Sequence, residues 1–208
     1  MKNNFILLLI SLSVFCGCTP SHKKEPIVVA YVTSWKNSNP DPTYLTNINY
    51  AFGHVNDSCN GIRIDNEERL RSIVALKEKK PTLKVLLSIG GWGSGRFSEM
   101  AASPENRKSF ADHCKQIITD FNLDGIDIDW EYPTSKVGGI SASPEDTDNY
   151  TLMMKEIRTA IGDHNLLTLA SDATAKFINF KDIDPYIDFV NIMTYDINHP
   201  PYHHSPLY

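Results

Sequence analysis

The sequence predicts an α/β protein of the (β/α)8 TIM-barrel type, incomplete, with about six of the eight strand–helix units present. Three observations carry this reading. Short apolar runs alternate with amphipathic helical stretches. Residues able to do chemistry fall at the C-terminal ends of the runs. No glycine-rich phosphate loop follows the first run, where Tyr31-Val32-Thr33-Ser34-Trp35 stands instead.

The strand candidates are residues 27–32, 48–52, 83–89, 125–131, 166–170 and 189–195. Between them lie stretches with helical periodicity. The first covers 67–79 and is halted by Pro81. The second opens at Ser103-Pro104, a capping residue followed by proline at the first helical position, and turns Phe110, Cys114, Ile117, Ile118 and Phe121 inward. The third opens at Ser143-Pro144 and puts Tyr150, Met153, Met154, Ile157 and Ile161 on one face, as a core stripe. Apolar strands alternating with helices imply a parallel sheet under helices. A doubly wound sheet and a barrel both fit that pattern, and both place ligands at strand C-terminal ends, where Ser88, Glu131 and Tyr195 fall. The missing phosphate loop favours the barrel.

A chain of 208 residues, 41% hydrophobic and carrying a formal charge of -5, fits one globular domain with a sizeable core. The mild acidity and the absence of basic runs give no electrostatic case for nucleic acid. Residues 1–18 stand apart. Lys2 precedes a mostly apolar run from Phe5 to Phe15, too short to span a bilayer, and Gly17-Cys18 follows. The pattern resembles a bacterial lipoprotein signal with Cys18 as the lipid-bearing residue. Phe15 and Cys16 depart from the usual small residues there, so plain secretory cleavage is the alternative. Residues 19–26 read as a linker and 27–208 as the catalytic barrel. The expectation is an exported lipoprotein, anchored to a membrane and facing the periplasm or the cell exterior.

Asp127, Asp129 and Glu131 alternate with Ile126, Ile128 and Trp130. Successive strand side chains point to opposite faces, so the acids share one face and the apolar residues the other. Clustering and dehydration both disfavour ionised carboxylates, so a strand that carries this row is placing protons. The structural alternative is the solvated face of an edge strand, against which Trp130 and the isoleucines argue. Spacing alone also admits Asp129 as a direct nucleophile, since residues two apart on a strand lie about 6.5–7 Å apart.

Four segments together resemble glycoside hydrolase family 18, the chitinases and their relatives. Residues 124–131 match its DxxDxDxE signature, and Ser88-Ile89-Gly90-Gly91-Trp92 matches its SxGG strand motif. Met193-Thr194-Tyr195-Asp196 matches its sixth-strand motif, while Tyr31 to Trp35 and Tyr50-Ala51-Phe52 look like its first two strands. The resemblance runs from residue 27 to the end. It implies retaining, substrate-assisted hydrolysis of β-1,4-linked N-acetylglucosamine in chitin or its oligosaccharides, by a monomer without cofactor or metal. Glu131 would be the general acid and then the base. Asp129 would move between Asp127 and the acetamido nitrogen, and Tyr195 would bond the acetamido carbonyl. Tyr31, Phe52, Trp92, Met193 and Asp196 would line the substrate cleft, with Ser88, Gly90 and Gly91 working sterically beside it. Trp35 divides between sugar contact and core packing. The family also implies two alternatives: an endo-β-N-acetylglucosaminidase acting on N-glycans, and a non-catalytic carbohydrate-binding protein or inactive truncated fragment.

A full barrel needs eight units and typically about 250 residues, so the chain is expected to lack the last two strands, to leave its first and last strands unpaired, and to be weakly active or inactive alone. Other clusters are less telling. The acid row on a dry strand face offers a calcium ion few further oxygens. His199, His203 and His204 sit in a proline-rich segment with no acid or cysteine to complete a metal site. Cys114 reads as a buried free thiol and Cys59 as its only other cysteine within the barrel.

Overall fold

A computed structural model of the chain describes residues 26–196. Its strands are β1 (Val29–Thr33), β2 (Asn47–Val55), β3 (Ile62–Ile64), β4 (Lys84–Gly90), β5 (Gly125–Asp129), β6 (Leu166–Asp172) and β7 (Phe189–Met193). The helices are α1 (Glu67–Val74), α2 (Phe97–Ala102), α3 (Pro104–Phe121), α4 (Asp146–Ile161) and α5 (Phe180–Ile183). Six strands pair in parallel in the order β1-β2-β4-β5-β6-β7, while β3 pairs antiparallel with β2. Each strand thus lies beside its successor after a crossover, the sequence of a (β/α)8-type wall. Among the described residues β1 and β7 end the order.

Alternation along the strands sorts the two faces. Leu87, Ile89, Ile126, Ile128, Leu167 and Leu169 point outward and are fully buried with Phe97 and Met100 of α2, Phe110 and Cys114 of α3, and Met153, Met154 and Ile157 of α4. Each such side chain contributes about 1.5–3 kcal/mol on leaving water. Trp130 closes this layer: it stacks on Phe97 with centroids 5.2 Å apart and meets Tyr150 edge-on at 5.7 Å. Ser88, Asp127 and Thr168 take the opposite face and are equally dry.

Two aspartates pin the register where strands begin. Asp124, just before β5, accepts from the Val85 amide of β4 at 2.9 Å and pairs with Lys77 and Lys84. Asp188, just before β7, does the same to Leu167 of β6 at 2.7 Å and pairs with Arg158. A one-residue slip would turn every side chain to the wrong face, so these bonds also aim the acids. Asp124, the first acid of the 124–131 pattern, therefore works in the sheet, away from the catalytic row.

Several boundaries differ from those expected. β5 stops at Asp129 and β7 at Met193, so Glu131 and Tyr195 lie in bends beyond the strands. β1 begins at Val29, with Ile27 and Val28 exposed. Ser103 caps α3 as expected, its hydroxyl accepting from the Asn106 amide at 3.2 Å. Ser143-Pro144 instead forms a turn, because the Asp146 carboxylate accepts from the Ser143 amide at 2.8 Å, and α4 starts at Asp146. The hairpin partner β3 and the short α2 were not anticipated: three and six residues are too few for periodicity to register. Cys114 is buried and Cys59 half-buried, both as free thiols. Cys18, the 1–18 segment and His199, His203 and His204 lie outside the described residues.

Candidate active site

A cavity of about 740 Å³ opens at the C-terminal ends of the parallel strands, walled by Asp129, Glu131, Tyr132, Met193 and Tyr195 among others. Of the expected site residues, Tyr31, Phe52, Trp92 and Asp196 also face it. Asp127 lies directly below.

Asp127 is fully buried, and four strands supply donors to its carboxylate. Oδ2 accepts from Tyr31 Oη of β1 and Ser88 Oγ of β4, each at 2.8 Å. Oδ1 accepts from Thr168 Oγ1 of β6 at 2.5 Å and Asn191 Nδ2 of β7 at 3.1 Å. A carboxylate offers about four lone-pair sites, so this one is saturated. Burial nevertheless holds its pKa above the ordinary aspartate value, while the four donors pull the other way.

Asp129, two residues on, is the opposite case. It is 5% exposed, faces the cavity, and its Oδ1 has no hydrogen-bond partner among the described residues. Burial raises its pKa well above the usual value, and the nearby charges of Glu131 and Asp127 add to this. Glu131 is half-buried. Burial lifts its pKa too, against a smaller lowering by the Tyr132 hydroxyl beside it. The row therefore runs from a dry, saturated carboxyl to one with a single unpartnered oxygen to a partly solvated one at the mouth.

Ser88, Gly90 and Gly91, expected to work sterically beside the substrate, do not line the cavity themselves but lie behind the acids. Ser88 is a donor to Asp127 as well as a small residue. At Gly90, whose φ is +129°, a Cβ would fall 2.0 Å from the Asp129 carbonyl oxygen. At Gly91, φ +90°, it would fall 2.8 Å from the Phe52 ring, and the Gly91 amide donates to the Asp129 carbonyl at 2.8 Å. The glycines thus let two backbones close behind the acids. Phe52 reaches the cavity because the β2–β4 register shifts between Ala51 and Gly53. Trp92 is 63% exposed at the rim, whereas Trp35, 64% exposed, neither packs in the core nor borders the cavity.

Three contributors were not anticipated. Thr168 and Asn191 complete the Asp127 shell, and their signal was a polar residue on the inward parity of an apolar strand. Tyr132 lines the cavity beside Glu131 and stacks on Phe177 with centroids 4.7 Å apart. Its signal was adjacency to Glu131 alone.

Comparison with known proteins agrees with this geometry. Residues 27–208 match the model of the family described as Glycosyl hydrolases family 18. The chain is 31% identical to Chitinase A1 of Niallia circulans over 82% of this chain and 34% of that one. It is 34% identical to Probable chitinase 2 of Drosophila melanogaster over 88% and 42% respectively. It therefore spans less than half the length of these relatives. The crystal structure of the chitinase domain of the spore coat protein CotE from Clostridium difficile superposes with a TM-score of 0.83 at 35% identity, over 96% of this chain and 59% of that one. A glycoside hydrolase family 18 N-acetylglucosaminidase from Paenibacillus barengoltzii superposes with a TM-score of 0.79 at 35% identity, over 88% and 58%. With the family's motifs arranged around one cavity and its model matched across residues 27–208, the chain belongs to glycosyl hydrolase family 18.

Proposed function

We propose that this site hydrolyses β-1,4-linked N-acetylglucosamine chains, chitin or its oligosaccharides, with the sugar's own acetamido group as nucleophile and with retention at the anomeric carbon. The observation that carries the reading is the contrast along β5 and the bend after it: Asp127 saturated below, Asp129 with Oδ1 unpartnered at the cavity, Glu131 at its mouth with a raised pKa.

Each residue's part follows from its surroundings. Glu131 keeps its proton to higher pH than an ordinary glutamate, so it can protonate the departing glycosidic oxygen; once ionised, it takes a proton from the incoming water. Asp129 has an oxygen free to take the acetamido N–H, which orients the acetamido carbonyl toward the anomeric carbon and stabilises the cyclic oxazolinium formed there. Asp127, its lone pairs already taken by four donors, has none left for Asp129, which leaves Asp129 to the sugar. Tyr195 and Asp196 line the same cavity, and in this reading Tyr195 bonds the acetamido carbonyl while Asp196 completes the polar lining around the sugar. The exposed Trp92 offers an aromatic face for a neighbouring sugar. The apolar 5–15 run and Cys18 support export with a lipid anchor, and no described helix is long and apolar enough to cross a membrane.

A thiazoline analogue of the oxazolinium tests the nucleophile. Tight competitive binding against chitooligosaccharide turnover is expected. Turnover with no sensitivity to the thiazoline would contradict acetamido participation, and cleavage of a high-mannose glycoprotein in place of chitooligosaccharides would move the substrate to N-glycans.

A further inference from the structure

His54, near the end of β2, has its ring held at both nitrogens. Nδ1 lies 2.8 Å from Ser94 Oγ and Nε2 3.0 Å from Asp65 Oδ2. One neutral tautomer satisfies both contacts: Nε2–H donates to the carboxylate, and Nδ1 accepts the serine hydroxyl. Asp65 is itself fixed. Its carboxylate takes the Arg63 guanidinium, its amide donates to the Phe52 carbonyl at 3.1 Å, and its carbonyl accepts from Tyr50 Oη at 2.8 Å. The ring therefore projects from a rigid β2–β3 hairpin.

Ser94 belongs to the connection 91–96 between β4 and α2, which carries Trp92. This stretch owes little to regular structure: Gly91, Gly93 and Arg96 all have positive φ, and its own turn is closed by the Ser94 amide donating to the Gly91 carbonyl at 3.0 Å. A second tie to the hairpin side, Arg96 to Asp57 at 2.9 Å, is exposed and worth little alone. Across from it the Trp92 indole rests by Gly138, where an added Cβ would sit 3.6 Å from Cε2. Neither His54, Asp65 nor Ser94 lines the cavity.

We infer that His54, braced by Asp65, is a positioning residue: by holding Ser94 it fixes the Trp92 indole at the cavity rim and sets how tightly sugar units beyond the reacting one are held. This rests on the sugar-binding reading of Trp92 given above. Releasing the loop makes each binding event reorder it, a loss that falls on KM for longer oligosaccharides rather than on kcat, about three- to tenfold.

Two readouts test it on the full chain. In a Trp35→Phe background, His54→Ala is expected to increase acrylamide quenching of the rim tryptophan in the sugar-free protein, and Ser94→Ala, which cuts the same tie from the other end, to do likewise. With chitohexaose, His54→Ala should raise KM, and in a Trp92→Ala background it should add nothing further. Unchanged quenching in both variants would overturn the clamp, as would a KM effect that persists without Trp92. Increased quenching with an unchanged KM would overturn the sugar-binding reading of Trp92 while leaving the clamp in place.

Discussion

The Tyr31 hydroxyl donates to the Asp127 carboxylate at 2.8 Å across 96 residues of sequence, although β1 and β5 are not neighbours in the sheet. A flat sheet would hold these strands roughly 14 Å apart at the usual spacing of about 4.8 Å. The bond thus records the curl of the wall. Asn191 of β7 makes the same reach from the other side, past β6. Asp127 is where the curvature of the fold and the placement of the acids become one feature.

Removing a donor from that shell tests its contribution. Thr168→Val keeps shape and burial but leaves Asp127 one bond short. A hydrogen bond to a charged group is worth about 1.5–3 kcal/mol, so the urea midpoint should fall accordingly. A midpoint equal to wild type would mean the shell is not built as described.

The acid row should weaken the fold at neutral pH. Burial and the charges of Glu131 and Asp127 raise the Asp129 pKa in the folded chain. The folded state then holds a proton that the unfolded state releases near pH 4, so stability falls as pH rises from there through the folded value. Asp129→Asn removes this penalty, about 1.4 kcal/mol for each unit of elevation. Calorimetry should find the variant melting higher at pH 7, by about 2–4 °C per kcal/mol, with the advantage vanishing below pH 4. A lower melting temperature at pH 7 would show that Asp129 is stabilising.

Tyr132 provides a separate handle on the proton donor. Its hydroxyl lowers the Glu131 pKa, so Tyr132→Phe should let Glu131 hold its proton to higher pH. The alkaline limb of the kcat/KM profile should move upward. A downward shift would place the controlling ionisation elsewhere.

Much of the fold and the row of acids was legible because both obey a period. Strand alternation put Asp127 and Asp129 on one face and Trp130 on the other, and the helical stripe of Phe110, Cys114 and Ile117 fell in the core as read. What was not legible depends on partners distant in sequence or on very short elements. The steric part expected of Ser88, Gly90 and Gly91 is legible in the motif, but their depth is not, because a motif gives order along the chain alone. Their place behind the acids follows from close approaches to Asp127, Asp129 and Phe52, which only the folded sheet creates. Thr168 and Asn191 were missed for the same reason. The bends that carry Glu131 and Tyr195 beyond their strands escaped because alternation continues past the last ladder hydrogen bond.

Hydrolysis of chitohexaose by Glu131→Gln, measured beside its binding by calorimetry, tests the central claim most directly. A carboxyl that donates and then accepts the reaction's proton contributes about 10²- to 10⁴-fold, so turnover should fall by that much while affinity stays within a few fold of wild type. Turnover at the wild-type rate would remove Glu131 from the chemistry and contradict the account.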